Sequence, residues 1–240
     1  MFVPLWDLNP LEKIKFQYVT FLLILANCLV FILFQVGVFL PVSTDALVSF
    51  AVVPAELIGQ GFLGQGATNA TVQTVAVPER LTLLTYMFLH GNILHLAGNM
   101  VFLWVFGDNV EDAMGHLRFL LFYMLCGIFA GLAHALMTPG SEVPMIGASG
   151  AVAGVIAAYL MLHPNVRVWI LAFFRIPLRV SAGFALMVWI ALQVVSAIFD
   201  EGGTTAWFAH IGGLIAGAVL ILFMRKPGVL LFDRGTGLTA

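Results

Sequence analysis

The sequence predicts an all-α membrane protein, a bundle of six transmembrane helices with both termini on the cytoplasmic side. Three observations support this fold class: an apolar composition, six apolar stretches, and a strong asymmetry of positive charge between the two sides of the membrane. Of the 240 residues, 61% are hydrophobic and 9% are charged, whereas soluble domains average about 45–50% apolar and about 25% charged residues. This composition argues against an ordinary soluble domain.

A spanning helix needs roughly 20 apolar residues. The predicted spans cover residues 16–40, 92–106, 117–137, 146–162, 180–199 and 207–224. The second apolar run already begins at residue 81, but a His-Gly-Asn sequence interrupts it. Asn92 is therefore the predicted N-cap of that span, and residues 81–89 form an interfacial lead-in. The apolar run 166–174 is too short to span and predicts an interfacial loop.

Positive charge assigns the orientation. With six spans both termini lie on one side, and nine of the 10 Lys and Arg residues fall there: Lys13, Lys15, Arg118, Arg167, Arg175, Arg179, Arg225, Lys226 and Arg234. Only Arg80 falls on the other side, so the positive-inside rule makes the side of the termini cytoplasmic. The chain then divides into a cytoplasmic segment 1–15, a membrane domain 16–224 with an outer loop 41–80, and a cytoplasmic tail 225–240.

Polar groups stand near the start of three spans: His95 with Asn99 in the second, Ser149 in the fourth, and His210 in the sixth. These spans run from outside to inside, so their N-terminal ends share the outer leaflet. At a rise of 1.5 Å per residue, His95, Ser149 and His210 lie within roughly 5–8 Å of their helix starts. Polar groups in hydrocarbon are costly unless they find partners. We therefore expect these groups to meet at similar depth, above the midplane.

Ser149 lies in the sequence Gly147-Ala148-Ser149-Gly150. The glycines permit a tight entry from loop to helix, and the free N–H groups of the helix start suit an oxyanion. The alternative is a serine N-cap on a closely packed membrane helix, in which small residues are common. Taken alone, the motif favours this structural interpretation.

His210 shares a helix face with Gly213 and Gly217. The fourth span offers a matching surface of small residues: Gly150, Ala153, Gly154 and Ala157. Helices lined in this way can approach closely, which would bring the Ser149 hydroxyl within hydrogen-bond reach of the imidazole. The structural alternative for His210 is a hydrogen bond to a backbone carbonyl.

His95 and Asn99 are four residues apart and so lie on one helix face. Imidazole and amide groups are recurrent oxyanion donors, and removing one costs roughly 3–4 kcal/mol of barrier. The alternative is a polar pair that bonds across helices, worth about 1 kcal/mol. Combined with Ser149 and His210, the pair predicts a hydrolase that works inside a membrane.

The sequence predicts neither a cofactor nor a metal ion. No carboxylate lies at the depth of the three polar groups, since Asp200 and Glu201 fall in an outer loop, so a Ser–His pair without an acid is expected. The histidines lack a buried Asp, Glu or Cys at ligand spacing, and phosphate-loop and dinucleotide motifs are absent. The net charge of -2 argues against a nucleic-acid partner.

As a set, these motifs resemble the rhomboid family of intramembrane serine proteases. The resemblance covers roughly residues 81–224 and follows the order of the spans. The matching segments are His90-Gly-Asn-Ile-Leu-His95-Leu-Ala-Gly-Asn99, Gly147-Ala-Ser149-Gly150 and Ala209-His210-Ile211-Gly212-Gly213, with Phe106-Gly107, Val110-Glu111 and Gly115 between them. The family's fold implies a six-helix bundle with a water-filled cavity open to the outside.

The resemblance also implies roles for the residues. Ser149 would be the nucleophile and His210 the general base and acid. His95, Asn99 and the Ser149 backbone N–H would form the oxyanion hole. Substrate is expected to approach laterally near the fifth span and the loop 200–205. Some family members have a tyrosine one turn after the serine, packed on the histidine; Ala153 occupies that position here, so the group that orients His210 is left open.

The expected partners are the lipid bilayer and single-span membrane proteins, cut near their outer juxtamembrane ends. Short termini without a targeting segment favour a bacterial inner membrane, with the site open to the outer side. Two alternatives remain. An inactive relative that binds membrane proteins would be expected to lack the serine or the histidine, and a small transporter would be expected to show internal repeats and a midplane site. The oligomeric state is not predicted.

Overall fold

The computed structural model describes residues 2–36, 48–61, 77–173, 175–199 and 206–232. In these residues the protein is mostly helical, as expected. Five helices are long and apolar enough to cross a membrane, and a sixth apolar helix is shorter, with 14 residues. The six-span arrangement, the cytoplasmic termini and the division into segments stay predictions. Parts of the predicted segments lie outside the described residues: 37–40, 41–47, 62–76, 200–205 and 233–240.

Six helices form the bundle and are labelled α1 to α6. They are α1 Tyr18–Val30, α2 Ile93–Met114, α3 His116–Met137, α4 Ser149–Leu162, α5 Ala182–Phe199 and α6 Trp207–Met224. A π-helical turn, Phe31–Gln35, continues α1. Between α1 and α2 lie a short helix Pro54–Glu56 with a π-helical turn Leu57–Gly61, and a helix Glu79–Thr85 with a 3-10 turn Tyr86–Phe88. The predicted lead-in 81–89 is therefore separate from the second span.

The structure is mostly helical, but it departs from the predicted all-α class by one three-stranded antiparallel sheet. Its strands are β1 Phe2–Asp7, β2 Arg167–Ala172 and β3 Ile176–Ser181, in the order β1-β2-β3. β2 occupies most of the run 166–174, for which the sequence predicts a loop. β3 includes the first residues of the predicted fifth span, so α5 begins at Ala182.

The sheet forms because the partners of β2 satisfy its backbone groups on both edges. Val168 and Ile170 are buried while Arg167 is exposed, which is the alternation of a strand with one covered face. One of those partners is β1. Its Phe2 pairs with Ala172, which lies far away along the chain. A pairing this distant leaves no local signal in the run itself.

Helix α2 extends beyond the predicted end at residue 106 and finishes at Met114. Its last turns carry carboxylates, which end the apolar pattern in the sequence. The helix nevertheless continues, because these carboxylates are hydrogen-bonded. Glu111 is fully buried and accepts hydrogen bonds from the Thr20 backbone N–H at 2.8 Å and its hydroxyl at 2.7 Å. Asp112 accepts backbone N–H groups of the segment before α1 at 2.6–3.2 Å. The carboxylates thus satisfy backbone donors at and before the start of α1.

Helix α6 packs most extensively on α3 and α4, and glycines set its distance from both. A Cβ added to Gly213 would lie 1.9 Å from the Gly150 carbonyl oxygen, and one on Gly217 would lie 2.2 Å from that of Gly154. Gly212 faces α3 in the same way, because a Cβ added to it would lie 2.4 Å from the Cβ of Ala133. These glycines leave room for the backbones of α4 and α6 to lie in direct contact.

The described part of the segment 41–80 contacts the chain that leads into α4. Val52 forms an antiparallel bridge with Met145, with N–O distances of 3.1 and 2.8 Å. Val52 and Leu57 are fully buried. Since Met145 closely precedes Gly147, this bridge helps to fix the entry to the helix that carries Ser149.

Candidate active site

Ser149 and His210 are in direct contact. Ser149 is the first residue of α4 and His210 lies in the first turn of α6, so the close packing of these helices brings their side chains together. The Ser149 Oγ lies 2.8 Å from the His210 Nε2, a hydrogen bond. His210 is buried and Ser149 is half-buried.

Gly147 makes the tight turn that places Ser149. Its φ of +124° is a conformation that side-chain-bearing residues rarely adopt, and its N–H bonds to the Tyr86 carbonyl at 2.9 Å. A Cβ on Gly147 would lie 2.8 Å from the His95 Cε1 and Nε2 atoms and 3.8 Å from the Ser149 Oγ. The glycine therefore lets the His95 ring approach the chain beside Ser149.

The hydrogen bonds around His95 indicate which ring nitrogen carries its proton. Asn92 caps α2 by accepting the His95 backbone N–H at 2.9 Å, as expected. The Gly91 N–H donates to the His95 Nδ1 at 3.4 Å, so the neutral ring carries its proton on Nε2. The His95 Nε2 lies on the edge of the ring that faces Gly147, since a Cβ on that glycine would lie 2.8 Å from it.

Asn99 brings an unpaired donor on the same face of α2. It is 8% exposed, and its Nδ2 group is buried without a hydrogen-bond partner. The N–H of Ser149 lies at the first position of α4, where no carbonyl of the same helix can accept it. Because these donors have no partner within the protein, they can bind an oxygen atom that enters the site. Unpaired buried donors are rare in native structures, which favours such a role.

Sequence analysis missed one residue that contacts His210. Gln193 of α5 is 8% exposed, and its Oε1 lies 2.6 Å from the His210 Nδ1. An amide oxygen only accepts, so Nδ1 carries the ring proton and Nε2 accepts from Ser149. A signal for Gln193 exists in the sequence, since a lone amide within an apolar span needs a partner.

Two indole rings flank the imidazole. The ring centroids of Trp189 and Trp207 lie 6.1 and 5.8 Å from that of His210, and the Trp207 pair is edge-to-face. These contacts, together with Gln193, take the place of the tyrosine that some family members have where Ala153 lies.

The model of the rhomboid domain matches residues 78–227, more than half of the chain. The chain belongs to the rhomboid family. Because five helices are long and apolar enough to span, this rhomboid is an integral membrane protein.

Relatives of this rhomboid include proteins of a bacterium, a plant and a protozoan. The chain is 32% identical over 213 residues to the rhomboid protease GluP of Bacillus subtilis, covering 87% of the chain and 36% of that protein. It is 32% identical over 149 residues to the mitochondrial RHOMBOID-like protein 6 of Arabidopsis thaliana (61% and 45%), and 31% identical over 143 residues to the rhomboid-like protease 3 of Toxoplasma gondii (60% and 51%). The chain spans about a third to a half of the length of these relatives.

His90 of the rhomboid motif lies at the edge of the site. Its backbone N–H and carbonyl bond to the Gln35 side chain at 2.8 and 2.7 Å, which ties the end of α1 to the start of α2. Its ring packs edge-to-face on His95 with centroids 5.1 Å apart. Burial, and to a smaller degree the nearby His95, lowers the pKa of His90 to about 4. His90 is therefore neutral at physiological pH.

Within the described ranges, no three His, Cys, Asp or Glu side chains are grouped so that they could hold a metal ion. The site contains a hydroxyl hydrogen-bonded to an imidazole, the His95 ring close to Gly147, and a buried unpaired amide donor on the helix that carries His95. This set can transfer a proton and stabilise a negative oxygen.

Proposed function

We propose that this rhomboid is an intramembrane serine endopeptidase that cleaves single-span membrane proteins near their outer juxtamembrane ends. The observation that carries the proposal is the 2.8 Å hydrogen bond between the Ser149 hydroxyl and the His210 Nε2. A serine is a weak nucleophile unless an adjacent base activates it. The family membership and the protease relatives support the same activity.

The proposed reaction has two steps. His210 removes the Ser149 proton while the Oγ attacks the scissile carbonyl carbon, giving a tetrahedral intermediate. The imidazolium then returns the proton to the leaving amine as the C–N bond breaks, which leaves an acyl-enzyme. Water attacks this ester with His210 again acting as base, and the Ser149 oxygen leaves with the proton.

The proposed oxyanion hole consists of three donors. They are the His95 Nε2–H, the Asn99 Nδ2–H and the backbone N–H of Ser149. Each lacks a partner in the hydrogen-bond pattern described above, so none has to break a bond within the protein to bind the oxyanion. Donors fixed in this way stabilise charge that develops in the transition state.

We further infer how water reaches this site. Helix α4 has 14 residues, which gives a length of about 21 Å against a hydrocarbon core of about 30 Å. If its far end is at the cytoplasmic surface, Ser149 lies below the outer surface in a depression open to water. This arrangement requires six spans, cytoplasmic termini and a site that faces the outer side. A bacterial cell membrane is the proposed location, since the match to the Bacillus subtilis protease covers most of the chain.

Labelling with a fluorophosphonate probe tests whether Ser149 is an activated serine. We expect the probe to label the purified full chain and the Ser141→Ala variant, but not the Ser149→Ala variant. Ser141 is the control because it lies in the segment just before α4, and its replacement removes only the contact of its hydroxyl with the Val143 N–H at 3.3 Å. Equal labelling of wild type and Ser149→Ala would show that the probe reacts elsewhere and that Ser149 is not the activated serine. No labelling of the folded wild type would favour a rhomboid that binds membrane proteins without cutting them.

Replacing Asn99 by alanine tests the proposed oxyanion hole. We expect kcat for a single-span substrate in detergent to fall by roughly 100–1,000-fold, because one transition-state donor is lost. KM should change little, since the donor is expected to bind the oxyanion and not the ground state. The control is Gly98→Ala, at a neighbouring position with nothing within 4 Å of the added Cβ. An Asn99→Ala variant with the kcat of this control would remove Asn99 from the oxyanion hole.

A further inference from the structure

The contact between α5 and His210 carries an inference that rests on the proposed function and deepens it. We infer that Gln193 is a positioning residue for catalysis. Its amide oxygen holds His210 in the tautomer and the orientation in which Nε2 can accept the Ser149 proton. Gln193 acts through His210 and is not itself a catalytic residue.

The two nitrogen atoms of the His210 ring have different partners. The Gln193 Oε1 lies 2.6 Å from Nδ1 and the Ser149 Oγ lies 2.8 Å from Nε2. The amide oxygen has no proton to give, so Nδ1 must be the donor. A neutral imidazole has one N–H, which leaves the Nε2 lone pair for Ser149. The other tautomer would direct an N–H at Ser149 and provide no base.

The burial of Gln193 cannot be explained by packing alone. Its neighbours along α5, Leu192 and Val194, are 50% and 40% exposed, as expected for side chains that face lipid. Gln193 is 8% exposed, and an amide at that position is costly unless it is hydrogen-bonded. An apolar residue would pack there without that cost. The amide is therefore explained by its hydrogen bond to His210 and not by packing.

The aromatic contacts of His210 do not supply this selection. Trp189 and Trp207 restrict the plane of the imidazole. A rotation of the ring by half a turn keeps that plane but exchanges the edges that carry Nδ1 and Nε2. Contacts with an aromatic neighbour also do not determine which of the two nitrogens carries the proton. A hydrogen bond to an atom that can only accept fixes both the orientation of the ring and the nitrogen that carries its proton. Among the groups that contact the ring, Gln193 provides this bond.

An amide suits a site at membrane depth better than a carboxylate. Soluble serine proteases orient the histidine with a buried aspartate, but an ion in hydrocarbon carries a large desolvation cost. In the parts of the chain that are described, no carboxylate is hydrogen-bonded to His210. Gln193 provides the orientation without adding a charge.

Kinetics of position 193 variants test the inference, with the full chain in detergent and a single-span substrate. Gln193→Leu removes the acceptor and keeps an apolar side chain that suits the bundle. We expect its kcat to be roughly 10–100-fold lower, with KM within about twofold, because the protonation state and orientation of the base change and substrate contacts do not. Gln193→Glu keeps an acceptor at the same place and should recover part of the loss, although its charge is costly at that depth. The matched control is Leu192→Ala, next to Gln193 but facing lipid.

A second variant distinguishes loss of the hydrogen bond from loss of the fold. Gln193→Asn keeps the amide but shortens it by one methylene, so it should lose activity as Gln193→Leu does. A kcat for either folded variant within about twofold of the Leu192→Ala control would overturn the inference. An increase in KM at unchanged kcat would also overturn it, because Gln193 would then act in substrate binding.

The tautomer of His210 can be measured without any cleavage. In protein labelled with 15N-histidine, the signals of His210 are assigned by their loss in His210→Ala. We expect a protonated Nδ1 and an unprotonated Nε2 in the wild type, and a shift towards the Nε2–H form in Gln193→Leu. An Nε2–H form in the wild type, or no change in the variant, would overturn the positioning role. If the folded wild type cuts no substrate, the proposed protease activity fails instead, while this measurement still decides what Gln193 does.

Discussion

Replacing Ser149 by alanine is expected to abolish cleavage of a single-span substrate, with kcat/KM lower by roughly 10,000-fold or more. The variant keeps the backbone and loses only the hydroxyl that bonds to His210 at 2.8 Å. No acyl-enzyme can form without that oxygen. The measurement is cleavage of the substrate in detergent and in lipid vesicles, with Ser141→Ala as the active control.

His210→Ala should be as damaging as Ser149→Ala, and the double variant should be no worse than either. This follows because the base has no task once the nucleophile is gone, so the two losses do not add. Additive losses would mean that the two residues act separately. Cleavage well above background in either single variant would contradict the assignment of the pair.

Sequence alone could predict the parts of the site that are governed by local spacing. The residues Gly213 and Gly217 identify one face of α6, and the small residues of α4 identify the matching face. A close contact of the two faces places the histidine of the first turn of α6 beside the first residue of α4. Composition and charge likewise predict a mostly helical membrane protein.

Two features depend on contacts that leave no periodic signal. β2 is paired with residues of the N-terminal segment, for example Leu171 with Val3, and a short apolar run looks the same whether it pairs or lies at an interface. Gln193 lies on a helix with few buried side chains. The face of α5 that meets the bundle is therefore not marked by a pattern of small residues, and the partner of the amide could not be assigned.

The largest structural effect is expected where α4 and α6 touch. A Cβ on Gly213 would lie 1.9 Å from the Gly150 carbonyl oxygen, well below the 3.0 Å that real Cβ contacts respect. Neither backbone can yield locally, so Gly213→Ala must push the helices apart. We expect the free energy of unfolding to fall by about 2–3 kcal/mol, as overpacking of a close-packed core commonly costs.

In Gly213→Ala the loss of activity should exceed what the loss of folded protein explains. Gly150 follows Ser149 directly and Gly213 lies one turn after His210, so a separation of about 1 Å opens the Ser149–His210 hydrogen bond. Such a displacement can cost roughly 100-fold in rate. The measurements are the thermal unfolding midpoint and the kcat of the folded fraction, with Gly98→Ala as the helical control. A Gly213→Ala variant with the midpoint and kcat of that control would show that the helices do not need this contact. A lowered midpoint with full kcat would show that the contact holds the fold without setting the Ser149–His210 distance.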